Sequence, residues 1–199
     1  MQPVTEGRRP WLIIVTGQPG SGKSSLGLRL AASLRVPYLS RDDVRWGLQA
    51  TAGLWGNQLR GTLDRDVARE TFIQLVEEVA RRGVTAVLEF IPFRGRLHEM
   101  ERLRSVAECL VLLTSCRDAS RRAEERERCD SLLNRDGVLS ALGHGSMKDY
   151  LRNGEEQREA VRQAMATEFA VPTLQVRTDE GYEPSVDLII EWVIGHAGG

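Results

Sequence analysis

Short apolar runs rich in β-branched residues alternate along this chain with longer segments in which apolar residues recur at helical spacing. The short runs predict β-strands, and the longer segments predict helices. Such alternation is typical of an α/β fold, a parallel sheet whose strands are joined by crossover helices. We predict five strands, at about 11–16, 37–40, 84–90, 108–114 and 173–177, and helices at 25–34, 62–82, 156–169 and 185–194.

Two regions interrupt this alternation, and loops of this kind are where substrate-binding and lid elements are expected. The region 40–61 holds Trp46, Trp55 and several glycines, and the region of about 117–153 joins a densely charged helix to a glycine-containing loop. Ligands of open α/β sheets bind beyond the carboxyl ends of the strands, so we expect both regions at that edge.

Composition limits the classes of protein to which the chain can belong. With 199 residues and 41% hydrophobic content, it is long enough for one domain, predicted at 11–195, with flexible ends at 1–10 and 196–199. A formal charge of −1 gives no overall attraction to nucleic acid or to an anionic membrane. No apolar stretch reaches membrane-spanning length, so we expect a cytoplasmic protein without a membrane partner.

The cysteines argue against two further classes. Cys109, Cys116 and Cys129 are odd in number and lack C-x-x-C spacing, which is unlike a disulfide framework or a zinc site. We therefore expect buried or idle thiols in a reducing compartment.

A glycine-rich segment, GQPGSGKS from Gly17 to Ser24, lies between the first predicted strand and the first predicted helix. Its glycines allow successive backbone N–H groups to point at a polyphosphate, and the helix dipole adds positive potential. This pattern predicts a P-loop in which Lys23 reaches the β- and γ-phosphates of ATP and Ser24 ligates Mg²⁺. The predicted nucleotide-binding residues are Gly17, Pro19, Gly20, Ser21, Gly22, Lys23, Ser24 and Ser25.

The segment SRDDVR, residues 40–45, follows the second predicted strand. If a helix begins here, Asp42 and Arg45 lie on one face and can hold a hydroxyl group beside an anion. Asp42 is then the candidate general base of a phosphoryl transfer, and Arg45 is a candidate substrate contact. The alternative is structural, because Ser40, Asp42 or Asp43 can cap the start of the helix.

Further candidates follow the third strand. Glu89 ends that strand, where a carboxylate can hold Mg²⁺ or its waters, hold the substrate hydroxyl, or cap a neighbouring helix. Arg94 can face the acceptor or be a solvated charge at a helix start. Trp46 and Trp55 can form walls of an acceptor pocket or belong to the core.

The arginine-rich segment 117–128 places Arg122 and Arg126 one helical turn apart. Two guanidinium groups on one face can stabilise charge on a transferred phosphoryl group, as a kinase lid does. The choice between Arg121 and Arg122 stays open. Alternating Arg and Glu residues also make i,i+4 ion pairs on a solvated helix, which is the competing interpretation.

The motifs GQPGSGKSS and SRDDVR, followed by this arginine-rich segment, resemble the P-loop kinases that include polynucleotide 5′-kinase domains, chloramphenicol phosphotransferase and zeta-toxin-like kinases. The resemblance implies a three-layer P-loop fold with a helical lid at about 117–153. It also implies Asp42 as the general base, Arg45 as a contact to the substrate phosphate, and a lid arginine at Arg122 or Arg126. By the same resemblance Thr178 and Tyr182 lie against the adenine, although a tight turn explains Gly181 equally well.

The motifs favour one activity over several others. The chain lacks D-x-x-G and N/T-K-x-D segments, which argues against a GTPase, and it lacks an apolar run ending in Asp-Glu. We expect an ATP- and Mg²⁺-dependent kinase acting on a hydroxyl of a small molecule such as an antibiotic, a nucleoside or another metabolite. The alternatives are a polynucleotide 5′-hydroxyl kinase and, from another class, a regulatory ATP-binding protein.

Overall fold

The computed structural model describes residues 9–51, 65–92, 97–119, 122 and 169–198. The strands are β1 (Trp11–Gly17), β2 (Tyr38–Ser40), β3 (Ala86–Glu89), β4 (Glu108–Ser115) and β5 (Thr173–Arg177). The helices among these residues are α1 (Lys23–Leu34), α2 (Arg41–Thr51), α3 (Arg65–Arg81), α4 (Leu97–Val106) and α5 (Val186–Gly198).

The strands form one parallel sheet in the order β2-β3-β1-β4-β5, which confirms the predicted fold class. β1 is central, and Leu12 to Gly17 are buried along it because helices cover both faces of the sheet. In a parallel sheet all carboxyl ends meet at one edge. The segments that follow the strands, including 18–22 and the start of α2, therefore gather at that edge.

Alternate residues of the strands feed two apolar cores. On one face Leu12 and Ile14 pack with Phe72 of α3 and Leu103 of α4. On the other face Ile13 and Val15 pack with residues of α1 and α5, Leu26, Leu30, Ile189 and Val193 among them. The result is the expected three-layer arrangement of helices, sheet and helices.

The structure corrects three expectations about helices. The region expected to be irregular from residue 40 begins with a regular helix, α2. Helix α4 was missed, although its buried Met100 and Leu103 repeat at helical spacing. The last helix does not end at 194 but continues to Gly198, since the ring of His196 packs 4.3 Å from that of Trp192 and its Nδ1 lies 2.8 Å from the carbonyl oxygen of Trp192.

Several expectations fall outside the described residues. These are the helix at 156–169 except Phe169, most of the lid region 117–153, the positions of Arg94, Arg121 and Arg126, the thiol of Cys129, the side chain of Trp46, the whole of Trp55, and residues 1–8. Cys109 and Cys116 are buried free thiols, as expected. In the part of the chain that the structure describes, no helix has the length and apolarity needed to cross a membrane.

Candidate functional site

The turn from β1 into α1 depends on glycine. Gly17 has φ of +141°, and a Cβ there would lie 2.1 Å from the carbonyl oxygen of Thr114 on β4. Gly20 and Gly22 also have positive φ, +80° and +78°. Side chains at these positions would be strained, so the sequence GQPGSGKS curls tightly at the carboxyl end of β1, as a phosphate-binding loop requires.

Buried hydroxyl groups fix this loop through hydrogen bonds to β4 and to the residue after β5. Thr114 donates to the carbonyl oxygen of Thr16 at 3.0 Å, so the 2.6 Å contact between Ser21 Oγ and Thr114 Oγ1 uses the Ser21 hydrogen. Thr178 Oγ1 donates to the Ser21 carbonyl oxygen at 3.0 Å. The Ser21 N–H is also engaged, with the Gln18 carbonyl oxygen at 3.1 Å. The structure thus places Ser21 and Thr178, both expected at the nucleotide, in the support of the loop.

The charged end of the loop lies at the start of α1. Lys23 Nζ donates to the Gln18 carbonyl oxygen at 3.0 Å, so its ammonium group reaches back across the loop. Gln18 Nε2 in turn donates to the carbonyl oxygen of Cys116, the residue after β4, at 2.5 Å. Pro19 in the loop and Ser25 in the first turn of α1 are exposed. The ammonium charge and the helix N-terminus together suit a polyphosphate.

A carboxylate stands beside the loop. Glu89, at the end of β3, pairs in register with Val15 of β1 and with Ser40 of β2. Ser24 Oγ donates to Glu89 Oε1 at 3.0 Å, and Tyr38 Oη donates to Glu89 Oε2. Burial, and then the hydrogen bond to Glu89, raise the pKa of Tyr38 well above its ordinary value. Tyr38 is therefore a neutral hydrogen-bond donor at physiological pH.

Ser24 and Glu89 together make a donor set that suits Mg²⁺. A hydroxyl has one hydrogen and two lone pairs, so Ser24 can donate to Glu89 and still ligate a cation. Mg²⁺ takes oxygen ligands and keeps several waters, with only one or two protein ligands at sites shared with phosphates. Among the residues described, no three His, Cys, Asp or Glu side chains cluster as a protein-only metal cage.

The segment SRDDVR opens α2 at the same edge of the sheet. The Asp43 N–H contacts Ser40 Oγ at 3.4 Å, so Ser40 is the residue that caps the helix. Asp42 is not used as a cap: its side chain is 60% exposed and accepts from Arg41 Nη2 at 2.6 Å. Arg45 lies one turn further on and is half-buried. The expected pair of Asp42 and Arg45 is thus present on one helix that starts beside Glu89.

A cavity of about 490 Å³ lies on the other side of the loop, beyond the ends of β4 and β5. Arg122 lines it and donates to the carbonyl oxygens of Thr178 at 2.8 Å and Asp179 at 2.5 Å. Tyr182 also lines it. The backbone N–H of Arg117 donates to Asp179 and lowers the pKa of that carboxyl. Arg122 therefore supports the loop after β5, where the base of a nucleotide was expected.

Two residues of the site were missed by sequence reasoning. Tyr38 contacts Glu89 from a neighbouring strand, and Thr114 anchors Ser21 from β4. Each partner lies more than fifty residues away along the chain, the separations being 51 and 93. Only the order of the strands brings them together, so no local pattern could have identified them.

The family model described as AAA domain (AAA_33) matches residues 12–176. The chain belongs to this family. This AAA domain is similar to the crystal structure of a candidate kinase from Chloroflexus aurantiacus J-10-fl, with a TM-score of 0.65 at 19% identity, over 95% of this chain and 99% of that one. It is also similar to a sugar kinase from Janibacter sp. HTCC2649, with a TM-score of 0.53 at 14% identity, over 95% and 94% of the two chains. No curated protein matches this AAA domain. The family assignment and the similar folds confirm the expected P-loop fold class.

Proposed function

We propose that this chain is a P-loop kinase, which transfers the γ-phosphoryl group of ATP to a hydroxyl group of a small molecule, such as an antibiotic, a nucleoside or another metabolite. The observation that carries the proposal is the 3.0 Å contact from Ser24 Oγ to Glu89 Oε1. It joins the phosphate loop to a carboxylate whose register partner, Ser40, directly precedes the helix that bears Asp42. A donor half and an acceptor half of a kinase site thus lie side by side.

The donor half consists of the loop, Lys23, Ser24 and Glu89. Backbone N–H groups of the loop and the Lys23 ammonium would bind the phosphates, and Ser24 with Glu89 would hold Mg²⁺. When bound, Mg²⁺ neutralises charge on the phosphate oxygens. Arg122 and Tyr182 line the cavity that receives the base, on the side of β5.

The acceptor half consists of Asp42 and Arg45 on α2, with Trp46 and Arg94 as further candidates. The lid arginine Arg126 is a candidate for stabilising charge on the transferred phosphoryl group. Asp42 accepts the proton of the acceptor hydroxyl as its oxygen bonds to the γ-phosphorus, and the bond from that phosphorus to the ADP oxygen breaks. The transition state of such a transfer is loose, so the carboxylate acts mainly by positioning the hydroxyl. Its exposed position at the start of α2 supports this role, because an acceptor can reach it.

The formal charge of −1 favours a small acceptor over a nucleic acid, and the sequence contains no long basic track. The similar fold of a sugar kinase is in keeping with a small acceptor. A polynucleotide 5′-hydroxyl kinase is the second candidate, because Arg41 and Arg45 flank Asp42 and could receive a phosphate beside the acceptor hydroxyl.

The decisive experiment incubates the protein with γ-labelled ATP and Mg²⁺ against parallel panels of sugars, nucleosides, antibiotics and 5′-hydroxyl oligonucleotides. We expect label on a small molecule and none with Lys23→Ala, which loses the phosphate contact. Label on the oligonucleotides alone would favour the second candidate. No labelled acceptor, together with nucleotide-dependent binding of a partner protein, would instead favour a regulatory ATP-binding protein.

A further inference from the structure

We propose that Tyr38 is a positioning residue for Glu89: its hydroxyl fixes the carboxylate beside Ser24 in the orientation that a divalent cation requires. This inference rests on the proposed role of Glu89 at the metal. It adds a residue from β2 to a site otherwise built from the phosphate loop and β3.

The first step of the argument is that each oxygen of the Glu89 carboxylate accepts one hydrogen bond. Oε1 accepts from Ser24 of α1 at 3.0 Å, and Oε2 accepts from Tyr38 of β2. The two donors belong to different elements, so the carboxylate can rotate away from Ser24 only by losing the tyrosine bond as well. With Ser24 alone, a flexible glutamate at a strand end would keep more than one rotamer.

The second step is the place made for the tyrosine ring. Gly27 lies in the interior of α1, three residues after Ser24 and on the same side of the helix. A Cβ at Gly27 would lie 2.7 Å from Cε2 of Tyr38. Glycine is unfavourable inside a helix relative to alanine. Its presence at position 27 is explained by the space that the Tyr38 ring needs against α1. The ring fills that space, and Oη then reaches Glu89.

The third step is the consequence for cation binding. Hydrogen bonds behind a ligating carboxylate set its orientation and basicity, and their removal commonly weakens metal affinity by about 10- to 100-fold. A bond to one oxygen also leaves the remaining lone pairs of the carboxylate available to the cation or its waters. Loss of the Tyr38 hydroxyl is therefore expected to weaken the affinity for the metal ion. The affinity for the nucleotide in the absence of metal should not change.

The test measures Mn²⁺ binding to the protein with ADP by electron paramagnetic resonance, a readout that needs no acceptor. Tyr38→Phe keeps the ring against Gly27 and removes only the hydroxyl. We expect Mn²⁺ affinity to fall by about tenfold. Calorimetric ADP affinity in EDTA should stay within about twofold, because loop and lysine are unchanged. Thermal unfolding of each variant checks that the fold is retained.

The matched control is the same substitution in a Glu89→Gln background. If Tyr38 acts through the Glu89 carboxylate, the double variant binds Mn²⁺ no more weakly than Glu89→Gln alone. Unchanged Mn²⁺ affinity in Tyr38→Phe, an equal further loss in the Glu89→Gln background, or absence of Mn²⁺ binding to the native protein with ADP would each overturn the inference. Mn²⁺ binding with no phosphorylated acceptor would refute only the proposed phosphoryl transfer.

Discussion

Arg41 and Asp42 form an ion pair in the first turn of α2, with Arg41 Nη2 2.6 Å from Asp42 Oδ1. The Asp42 side chain is 60% exposed, so water screens the pair. Exposed ion pairs of this kind contribute only about 0 to 1 kcal/mol. Arg41 thus orients the carboxylate only weakly. An acceptor hydroxyl can replace the Arg41 guanidinium as the hydrogen-bond partner of Asp42.

Replacing this carboxylate tests its proposed role as the base. Asp42→Asn should lower kcat by about 10²- to 10⁴-fold, because an amide cannot take the proton of the acceptor hydroxyl. The KM for ATP should change little, since the phosphate loop is intact. Steady-state kinetics with the labelled acceptor measures both. Asp43→Asn is the matched control, as Asp43 lies next in the same helical turn; equal losses in the two variants would contradict the assignment.

Gly17→Ala tests the tight turn at the end of β1. The new Cβ would lie 2.1 Å from the Thr114 carbonyl oxygen, and φ of +141° is strained for alanine. We expect a loss of about 3 kcal/mol of unfolding free energy, measured by urea denaturation, with loss of ATP binding. Gly195→Ala, with nothing within 4 Å of its new Cβ, should instead be stabilising by about 0.5 to 1 kcal/mol. Similar midpoints for the two variants would show that the loop accommodates a side chain.

Replacing Arg122 distinguishes two roles for its side chain, support of the loop after β5 and stabilisation of the transferred phosphoryl group. The side chain donates to the carbonyl oxygens of Thr178 and Asp179, so Arg122→Ala should weaken ATP binding by about tenfold or more. The value of kcat at saturating ATP should fall by less than about tenfold, whereas a catalytic arginine contributes about 10³- to 10⁵-fold. Arg122→Lys keeps the charge but not the forked geometry and should resemble Arg122→Ala. A large loss of kcat with unchanged ATP affinity would identify Arg122 as the catalytic lid arginine.

The contact between α3 and α4 predicts a pH-dependent stability. Arg102 donates to Glu70 at 2.8 Å and to Glu77 at 2.8 Å, and these bonds lower the pKa of both carboxyls below the usual 4.5. A lowered folded-state pKa stabilises the fold above about pH 4.5 and loses that contribution as the pH falls through the folded-state value. Stability should therefore decrease below pH 4.5.

Arg102→Met measures this contribution. At pH 7 it should cost about 1 kcal/mol, a value kept small because Glu70 is half exposed and solvent screens its pair. The difference from the native protein should shrink as the pH falls below 4.5, when both carboxyls become protonated. Urea denaturation at pH 7 and pH 3.5 provides the comparison. Arg82→Met, which breaks an exposed pair with Glu78, is the control expected to change little. A difference that stays constant down to pH 3.5 would contradict the linkage.

The local pattern of apolar residues and glycines was sufficient to predict several elements around the site. The apolar run of β1, the glycines after it and the periodicity of α1 and α3 each reflect interactions between residues close in sequence, so their positions were predicted to within a few residues. Helix α4 was not predicted, although Met100 and Leu103 repeat at helical spacing. Helix α5 extends beyond its predicted end at 194, where the ring of His196 packs on that of Trp192.

The sequence by itself determined the phosphate loop, the parallel α/β class and the segment that bears Asp42, because each depends on residue type at short spacing. Only the tertiary structure decided that β3 lies between β2 and β1. That strand order brings Glu89 to Ser24 across 65 residues and to Tyr38 across 51. The physical reason is that strand order follows from burying two apolar faces at once, a requirement on the whole chain that no short segment encodes.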